Sequence, residues 1–229
     1  MSQGPEIAKV LKLEYWVGKQ HGSHYLIFDL KGFRTIPIPP PALFPVIFLP
    51  SKHRIHLSED AERFGKLEIQ GKQEILLKAL QVIEPRLKGL SMVFTGGNPM
   101  IHGYIAGLNR LVPLIFLGDG IVRLASLVLA IGTSPNGVVL VDEIENGLHH
   151  SILPEVWGAI GKAAREFKTQ IFATTHSFEC IEAAHKAFSE EKLYDFRLHR
   201  LERKGEERSV FTFDKEALDA AIGIGLEVR

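Results

Sequence analysis

Residues 138–150, VVLVDEIENGLHH, constrain the fold of this chain more than any other stretch. Four consecutive apolar residues follow a Pro135-Asn136-Gly137 turn and run directly into Asp142 and Glu143. A short apolar run bounded by turn residues predicts a buried strand of a parallel sheet. Acids at the carboxyl end of such a strand lie where open α/β sheets bind ligands, whereas the alternative is a strand that ends in solvated acids without chemistry.

A second predicted strand brings a histidine to the same place. Residues 171–173 form another short apolar run, which ends in Thr174-Thr175-His176-Ser177, and His176 follows Asp142 by 34 residues. Residues 152–167 lie between the two strands and carry apolar side chains at helical spacing. A strand–helix–strand unit of this length is a right-handed crossover, so both strand ends face the same edge. We therefore expect His176 beside Asp142 and Glu143, where it would contact a phosphate.

A glycine-rich turn precedes this region. Gly118-Asp119-Gly120 opens a predicted helix over residues 121–131, and Gly118 lies 24 residues before Asp142. Glycines at a helix start leave backbone N–H groups open, and the helix dipole there favours an anion. Arg123 adds a fixed cation one turn into the helix. The alternative is a structural loop in which Asp119 caps the helix.

Together these three segments resemble the ABC-like P-loop ATPases of the OLD, RecF and SMC kind, in the branch usually described as AAA-type ATP-binding proteins. LGDGIVRL resembles their signature segment, VVLVDEIENGLHH their Walker B and D-loop, and ATTHS their switch-histidine loop. The resemblance continues upstream through residues 67–85 and downstream to residue 229, so it covers most of the chain.

The resemblance implies a role for each matching residue. Asp142 would be the metal ligand for Mg²⁺, Glu143 the catalytic base and His176 the phosphate sensor. Gly118, Asp119, Gly120 and Arg123 would contact the γ-phosphate of ATP held by a facing subunit. His149 stands where many ABC proteins carry the D-loop aspartate.

The phosphate loop of that family has no counterpart in these 229 residues. No G-x-x-x-x-G-K-[ST] segment occurs, and the glycine clusters at residues 18–22 and 96–97 lack its Lys-Ser/Thr ending. That loop provides the amide cradle and the phosphate lysine. We therefore expect the later part of such an ATPase: a truncated reading frame, a fragment, or half of a split enzyme. The expected partner is a second copy in a homodimer or a second chain that carries a Walker A segment.

The predicted fold is α/β, with the partly parallel sheet of an ABC-like P-loop NTPase, an antiparallel β-rich arm and a helical insert. Residues 1–229 would form one incomplete ATPase domain. Residues 1–115 would hold the arm and the insert, and residues 116–229 the half with the signature, Walker B and switch histidine. The alternation of apolar and polar residues between 11 and 38 predicts the β-rich arm, with a turn at Gly22-Ser23.

Composition excludes several classes of function. The 27 acidic and 27 basic residues cancel, so no overall field favours nucleic acid or an anionic membrane. The single Cys180 excludes an internal disulfide and fits a reducing cytosol. The longest apolar segment is broken by Arg123 and is too short to cross a bilayer. A cytoplasmic protein is therefore expected.

Three other functions remain open. A catalytically silent interaction module could retain the fold without turnover. A DNA-associated regulator is suggested by the SMC-like resemblance and by a basic cluster, which consists of Lys52, His53, Arg54 and His56. A metal hydrolase is suggested by the His149-His150 pair, but zinc needs three or four converging ligands and adjacent histidines are expected to splay apart.

Overall fold

A computed structural model describes residues 9–29, 32–39, 43–51, 57–205 and 207–225. The chain divides into two compact units, Met1–Leu43 and Phe44–Arg229. The predicted division of the ATPase domain between residues 115 and 116 stays a prediction. Among the described residues, no helix combines the length and the apolar character that crossing a membrane requires.

The first unit contains an antiparallel three-stranded sheet. Its strands are β1 (Lys9–Val17), β2 (Gln20–Asp29) and β3 (Gly32–Ile36), in that order across the sheet. The predicted turn at Gly22-Ser23 is wrong, because the chain reverses at Gly18, whose φ of 59° suits glycine. Gly22 lies instead within β2 opposite Tyr15, whose ring occupies the space that a Cβ at Gly22 would need.

The second unit contains a parallel three-stranded sheet. Strand β8 (Val138–Val141) lies between β4 (Val46–Leu49) and β9 (Gln170–Ala173), and all three run parallel. Helix α4 (Leu153–Phe167) connects β8 to β9. The predicted strand, helix and strand are therefore present within two residues of their expected bounds, and so is the expected meeting of the strand ends at one edge.

The second unit also contains an antiparallel sheet. It consists of β5 (Leu87–Thr95), β6 (Asn98–Ile105) and β7 (Leu111–Pro113), with β6 in the middle. Strand β7 is short, because it ends at Pro113 and residues 114–117 form a 3₁₀ turn. Pro113 lacks the N–H that a longer ladder would use.

Helix α3 (Asp119–Gly132) forms the core of the unit, since nearly every residue after its first turn is buried. Helices α1 (Leu57–Ile69), α2 (Gln73–Leu80) and α4 pack around it. Two charged residues of α1 are buried as well: Asp60 accepts hydrogen bonds from Arg63, at 3.2 Å, and from the Ser126 hydroxyl of α3. This network joins α1 to α3.

The C-terminal elements close the unit. They are α5 (Phe178–Ser189), the hairpin of β10 (Leu198–Lys204) and β11 (Glu207–Phe213), and α6 (Lys215–Gly223). Asp214 caps α6 by accepting a 3.0 Å hydrogen bond from the Ala217 N–H. Cys180 is buried, and this burial raises the pKa of its thiol. Residues 194–197 precede β10, and Tyr194 and Phe196 pack against the core.

Candidate functional site

Three polar side chains follow the carboxyl ends of the parallel strands. Leu49, Val141 and Ala173 are aligned across the sheet and end β4, β8 and β9. Ser51 follows β4 after one proline, Asp142 follows β8 directly, and Thr174 follows β9 directly. One edge of the sheet therefore carries two hydroxyls and a carboxylate.

The carboxylate of Asp142 is held ionised by its neighbours. Thr174 Oγ1 donates a 2.7 Å hydrogen bond to Asp142 Oδ1, and the Asp142 N–H donates to the Leu49 carbonyl at 2.9 Å. The Thr174 hydroxyl contributes most to lowering the pKa of Asp142, followed by the Ser51 side chain, while the nearby His176 adds a smaller electrostatic contribution. Asp142 is consequently an anion at neutral pH, with oxygen donors around it.

Glu143 has an unusual backbone conformation. Its φ of 46° lies in the left-handed region, which costs energy for a residue with a Cβ and is commonest at functional sites. The Glu143 N–H donates to Thr174 Oγ1 at 2.9 Å, and Asn146 Nδ2 donates to Glu143 Oε2 at 2.7 Å. These two hydrogen bonds therefore fix both the backbone and the side chain of Glu143.

His176 is attached to the same turn through its backbone. Its N–H donates to Glu145 Oε1 at 3.1 Å, while its side chain is exposed. The other carboxylate oxygen, Glu145 Oε2, is buried and finds no hydrogen-bond partner among the described residues. The contact with Glu145 positions His176 beside Asp142 and leaves its ring accessible.

The start of α3 packs under this turn. Arg123 donates to the carbonyl oxygens of Asp142 and Glu143, at 3.1 and 3.5 Å. Burial lowers the pKa of Arg123, and the charges of Asp142 and Glu145 partly offset that effect. The predicted contact of Arg123 with a neighbour's phosphate stays a prediction, because the structure turns this guanidinium toward the backbone of its own chain.

Gly120 lies close to the turn that follows β8. A Cβ at Gly120 would lie 3.2 Å from the Gly147 carbonyl oxygen, so only glycine allows this approach without displacement. Gly118, with φ 109°, is the N-cap of α3, and Asp119 is its first residue. The alternative in which Asp119 caps the helix is therefore wrong, whereas the predicted anion contacts of Gly118, Asp119 and Gly120 stay predictions.

His149 and His150 do not splay apart as expected. Their ring centroids are 4.3 Å apart, and His149 Nδ1 accepts a 3.3 Å hydrogen bond from the Ser151 N–H at the start of a 3₁₀ turn. Within the described ranges, no three histidine, cysteine or acidic side chains are grouped as a metal site. The two rings are thus tilted against each other, and His149 caps the 3₁₀ turn.

The donors around Asp142 suit Mg²⁺. This ion prefers oxygen ligands and is commonly held by one or two carboxylates together with the phosphates of a substrate. Asp142 provides an ionised carboxylate, and Ser51 and Thr174 provide hydroxyl oxygens beside it. The residues present therefore fit the predicted ion.

Sequence reasoning missed four contributors to this site. Thr174, Ser51, Glu145 and Asn146 contact the predicted residues, and none had been assigned a role. A usable signal existed for two of them, because Thr174 and Ser51 are polar residues within two positions of a strand end. Glu145 and Asn146 lie in the turn after β8, where only the three-dimensional path of the chain reveals their contacts.

Thr174→Val is expected to raise the pKa of Asp142 toward its ordinary value of about 3.9, because the largest cause of the lowered pKa is removed. A lowered folded-state pKa stabilises the protein above the unfolded pKa, and this contribution is lost as the pH falls through the folded value. The variant should therefore lose less stability on acidification.

Carbon-13 NMR titration of the Asp142 carboxyl measures this shift. The matched control is Thr212→Val, which removes a hydroxyl that contacts His199 on the β10–β11 hairpin and should leave Asp142 unchanged. An unaltered pKa of Asp142 in Thr174→Val would contradict the assignment.

Comparisons with known proteins agree with this architecture. The sequence model of a family described as "AAA domain, putative AbiEii toxin, Type IV TA system" matches residues 34–182, more than half of the chain. Among curated proteins, the comparison found no sequence relative.

Several solved structures are similar to the chain. An SMC head bound to the C-winged helix domain of ScpA has a TM-score of 0.52 and 11% identity, covering 90% of this chain and 71% of that chain. An SMC head with an extended coiled coil, bound to the C-terminal domain of ScpA derived from Pyrococcus furiosus, has a TM-score of 0.49 and 11% identity, covering 91% and 76%. The SMC head from Thermotoga maritima has a TM-score of 0.46 and 14% identity, covering 89% and 73%. The first of these likenesses, together with the parallel and antiparallel sheets, confirms the predicted fold class.

Proposed function

Because this chain belongs to that AAA domain family, which confirms its resemblance to the ABC-like P-loop ATPases, we propose that it is an ATP-binding, ATPase-type module that acts by nucleotide-dependent dimerisation. One observation carries the proposal. Asp142, Glu143 and the His176 backbone are joined through Thr174 and Glu145 at the carboxyl edge of one parallel sheet. Open α/β sheets bind their ligands at such an edge.

In this proposal Asp142 holds the metal ion. Its lowered pKa keeps the carboxylate charged, and the Ser51 and Thr174 hydroxyls orient it. When bound, Mg²⁺ would neutralise negative charge on the β- and γ-phosphates. Asp142 would have to lose its hydrogen bonds before it could move away, so its position is set before the nucleotide arrives.

Glu143 is the proposed general base. Asn146 fixes its Oε2, so Oε1 would be the atom that orients the attacking water and accepts its proton. The left-handed backbone at Glu143 directs its N–H to Thr174 Oγ1, the hydroxyl that also donates to Asp142. A single threonine thereby contacts both Asp142, the proposed metal ligand, and Glu143, the proposed general base.

His176 and the start of α3 are the proposed phosphate contacts. The exposed His176 ring can donate to a phosphate oxygen while Glu145 holds its backbone. The first N–H groups of α3 have no side-chain cap and lie at the positive end of the helix dipole. We propose that these N–H groups bind the nucleotide of a facing subunit. Arg123 would hold the turn after β8 in place through its hydrogen bond to the Asp142 carbonyl oxygen.

The phosphate loop would be provided from outside residues 1–229, since these residues contain no G-x-x-x-x-G-K-[ST] segment. That loop makes most of the phosphate contacts in P-loop ATPases. The 229 residues alone are therefore expected to bind MgATP with a dissociation constant weaker than about 0.1 mM. Isothermal titration calorimetry measures it, and micromolar affinity of residues 1–229 would overturn this assignment.

The second candidate is a catalytically silent interaction module that retains the fold. It is favoured by the engagement of one Glu143 oxygen by Asn146. In that case Glu143→Gln would alter no property of the protein. The basic residues behind the DNA-associated alternative (Lys52, His53, Arg54 and His56) lie outside the described residues, so that alternative stays a prediction.

A further inference from the structure

Strand β1 forms an open edge of the antiparallel sheet in the first unit. It is nine residues long, and every one of these residues is exposed. Among the residues that the structure describes, β1 pairs with β2 alone. A long, exposed and largely apolar edge strand is a template for a further strand, and soluble proteins usually shorten or cover such edges. The length and exposure of β1 therefore indicate a surface for another strand.

The hairpin turn determines which backbone groups of β1 point outward. Val17 lies opposite Gln20, so the turn has two residues, and the φ of 59° at Gly18 suits the tight turns of hairpins. The residues that flank a two-residue turn bond to each other, so Val17 directs its N–H and C=O groups to β2. Alternate residues point to opposite edges of a sheet. The residues of β1 that direct these groups away from β2 are therefore Val10, Lys12, Glu14 and Trp16.

This outer edge carries one cation and one anion, two residues apart on the same face. Lys12 Nζ lies 2.9 Å from Glu14 Oε1, and His21 Nε2 lies 3.5 Å from the same oxygen. The hydrogen bond between Lys12 and Glu14 is the largest cause that lowers the pKa of Glu14 and raises the pKa of Lys12. Both side chains are therefore charged at neutral pH.

A second copy of β1 matches this edge in charge and in length. When two copies run antiparallel about a two-fold axis at Leu13, Lys12 of each copy lies directly opposite Glu14 of the other. Leu13 is the middle residue of β1, so all nine residues overlap. The residues that direct their backbone groups outward face each other in this register and would form about eight hydrogen bonds. Two sheets of three strands would become one sheet of six, which is a common size.

Other registers fit less well. An axis at Lys12 would place two lysines directly opposite each other, and an axis at Glu14 would place two glutamates there, which is destabilising. An axis between two residues would pair outward-directed backbone groups with residues bonded to β2, and it would exchange the two faces of one strand. Axes farther from Leu13 shorten the overlap. The pattern of charge and backbone direction therefore selects the axis at Leu13.

The apolar residues of β1 also find suitable neighbours in this register. Leu13 lies opposite its own copy, and on the same face Leu11 lies opposite Tyr15. On the other face Val10 lies opposite Trp16, the most exposed of these side chains at 67%. Cross-strand pairs between aromatic and aliphatic side chains stabilise sheets. The pairing would therefore cover apolar surface as well as join opposite charges.

We propose that the outer edge of β1 is a self-association surface, on which a second copy of this chain pairs antiparallel about an axis at Leu13. Both copies use the same surface, so the contact closes as a symmetric dimer. This contact goes beyond nucleotide-dependent dimerisation, because it requires neither ATP nor the residues at the carboxyl edge of the parallel sheet.

Sedimentation velocity of residues 1–229 without nucleotide tests the contact. The chain is expected to show a concentration-dependent dimer. Lys12→Glu and Glu14→Lys should each weaken self-association by at least about tenfold, because each places like charges opposite each other at two symmetric positions. An equimolar mixture of the two variants should regain the dimer, since position 12 of one variant then faces position 14 of the other with opposite charge.

Glu202→Lys is the matched control. Glu202 Oε1 lies 2.7 Å from Arg200 Nη2, two positions away on β10, so the substitution reverses the same kind of charge pair on another hairpin. It should leave self-association unchanged. Circular dichroism verifies that the variants fold.

Hydrogen exchange of the wild-type chain tests the same surface without a substitution. The amides of Lys12 and Glu14 should gain protection as the protein concentration rises. The amides of Leu11 and Leu13, which point to β2, should not change. Any one of four results would overturn the inference: a monomer up to about 0.1 mM, equal dimerisation by the single variants, no recovery in the mixture of folded variants, or no added protection of Lys12 and Glu14.

Discussion

Glu143→Gln is expected to lower ATP hydrolysis by about 100- to 10,000-fold when residues 1–229 are combined with a segment or partner that carries a phosphate loop. Glutamine has the same shape as glutamate, and its amide oxygen can still accept the hydrogen bond from Asn146 Nδ2. It cannot accept a proton from the attacking water. Nucleotide binding should therefore survive, while turnover is lost.

The same substitution should trap a dimer. If ATP joins two subunits and hydrolysis releases them, a variant that binds without turnover remains in the joined state. Phosphate release measures the rate, and light scattering after size-exclusion chromatography measures the mass with ATP present. Glu155→Gln, at an exposed position in the first turn of α4, is the control and should change neither.

Two outcomes would contradict this account. A combined preparation that does not hydrolyse ATP would reject the ATPase proposal. Equal hydrolysis by the wild-type chain and Glu143→Gln would remove Glu143 from the chemistry. A loss of stability would abolish both nucleotide binding and hydrolysis. The expected result differs, because binding persists while hydrolysis is lost.

The parts of the site that were predictable are those encoded by short patterns. The apolar run before Asp142, the amphipathic helix after it and the run before Thr174 each fix one element, and right-handed crossover then fixes their common edge. Local pattern is sufficient there because a short apolar run bounded by turn residues has few alternatives to a strand of a parallel sheet.

The parts that were not predictable depend on contacts between distant residues. Thr174 joins Asp142 and Glu143 across 32 and 31 positions of sequence, and Arg123 reaches the Asp142 carbonyl across 19. The sequence indicated that Arg123 was a cation near a helix start, which suits an anion. Its actual partners are backbone carbonyls, which carry no signature in the sequence.

Strand β8 shows the same limit in another form. The sequence VVLV does not indicate which residues of β8 are buried and which are exposed, since all four are apolar. The structure distinguishes them, with Val139 and Val141 buried and Leu140 exposed. A continuous apolar strand predicts that both faces are covered, and the residues that the structure describes cover one of them.

Gly137→Ala is expected to lower the free energy of unfolding of the second unit by about 3 kcal/mol. A Cβ at Gly137 would lie 2.3 Å from the Pro45 carbonyl oxygen and 3.0 Å from the Ser134 carbonyl oxygen. Both are backbone atoms and cannot rotate away. The Pro45 carbonyl also accepts the Val138 N–H at 2.9 Å, so relief of the clash would disturb the first pairing of β4 with β8.

The position of Gly137 makes this effect larger than a local clash. Its carbonyl accepts the Gln170 N–H at 2.9 Å, so the same residue begins the pairing of β8 with β9. A displacement here shifts all three strands at their amino ends and, through the strands, moves Ser51, Asp142 and Thr174 relative to one another. The variant should therefore also raise the pKa of Asp142, because the hydrogen bonds that lower it would lengthen.

Gly158→Ala provides the matched control, since it adds the same methyl group to a glycine of α4 with no heavy atom within 4 Å of the new Cβ. Alanine favours a helix over glycine by about 0.5–1 kcal/mol, so this variant should be more stable than the wild-type chain. Differential scanning calorimetry should place the two variants on opposite sides of the wild-type Tm, separated by at least about 7 °C for a unit of this size. Shifts of both Tm values in the same direction would mean that Pro45 does not approach Gly137 as closely as the structure shows. The register of β4 against β8, which aligns Ser51 with Asp142, would then be wrong as well.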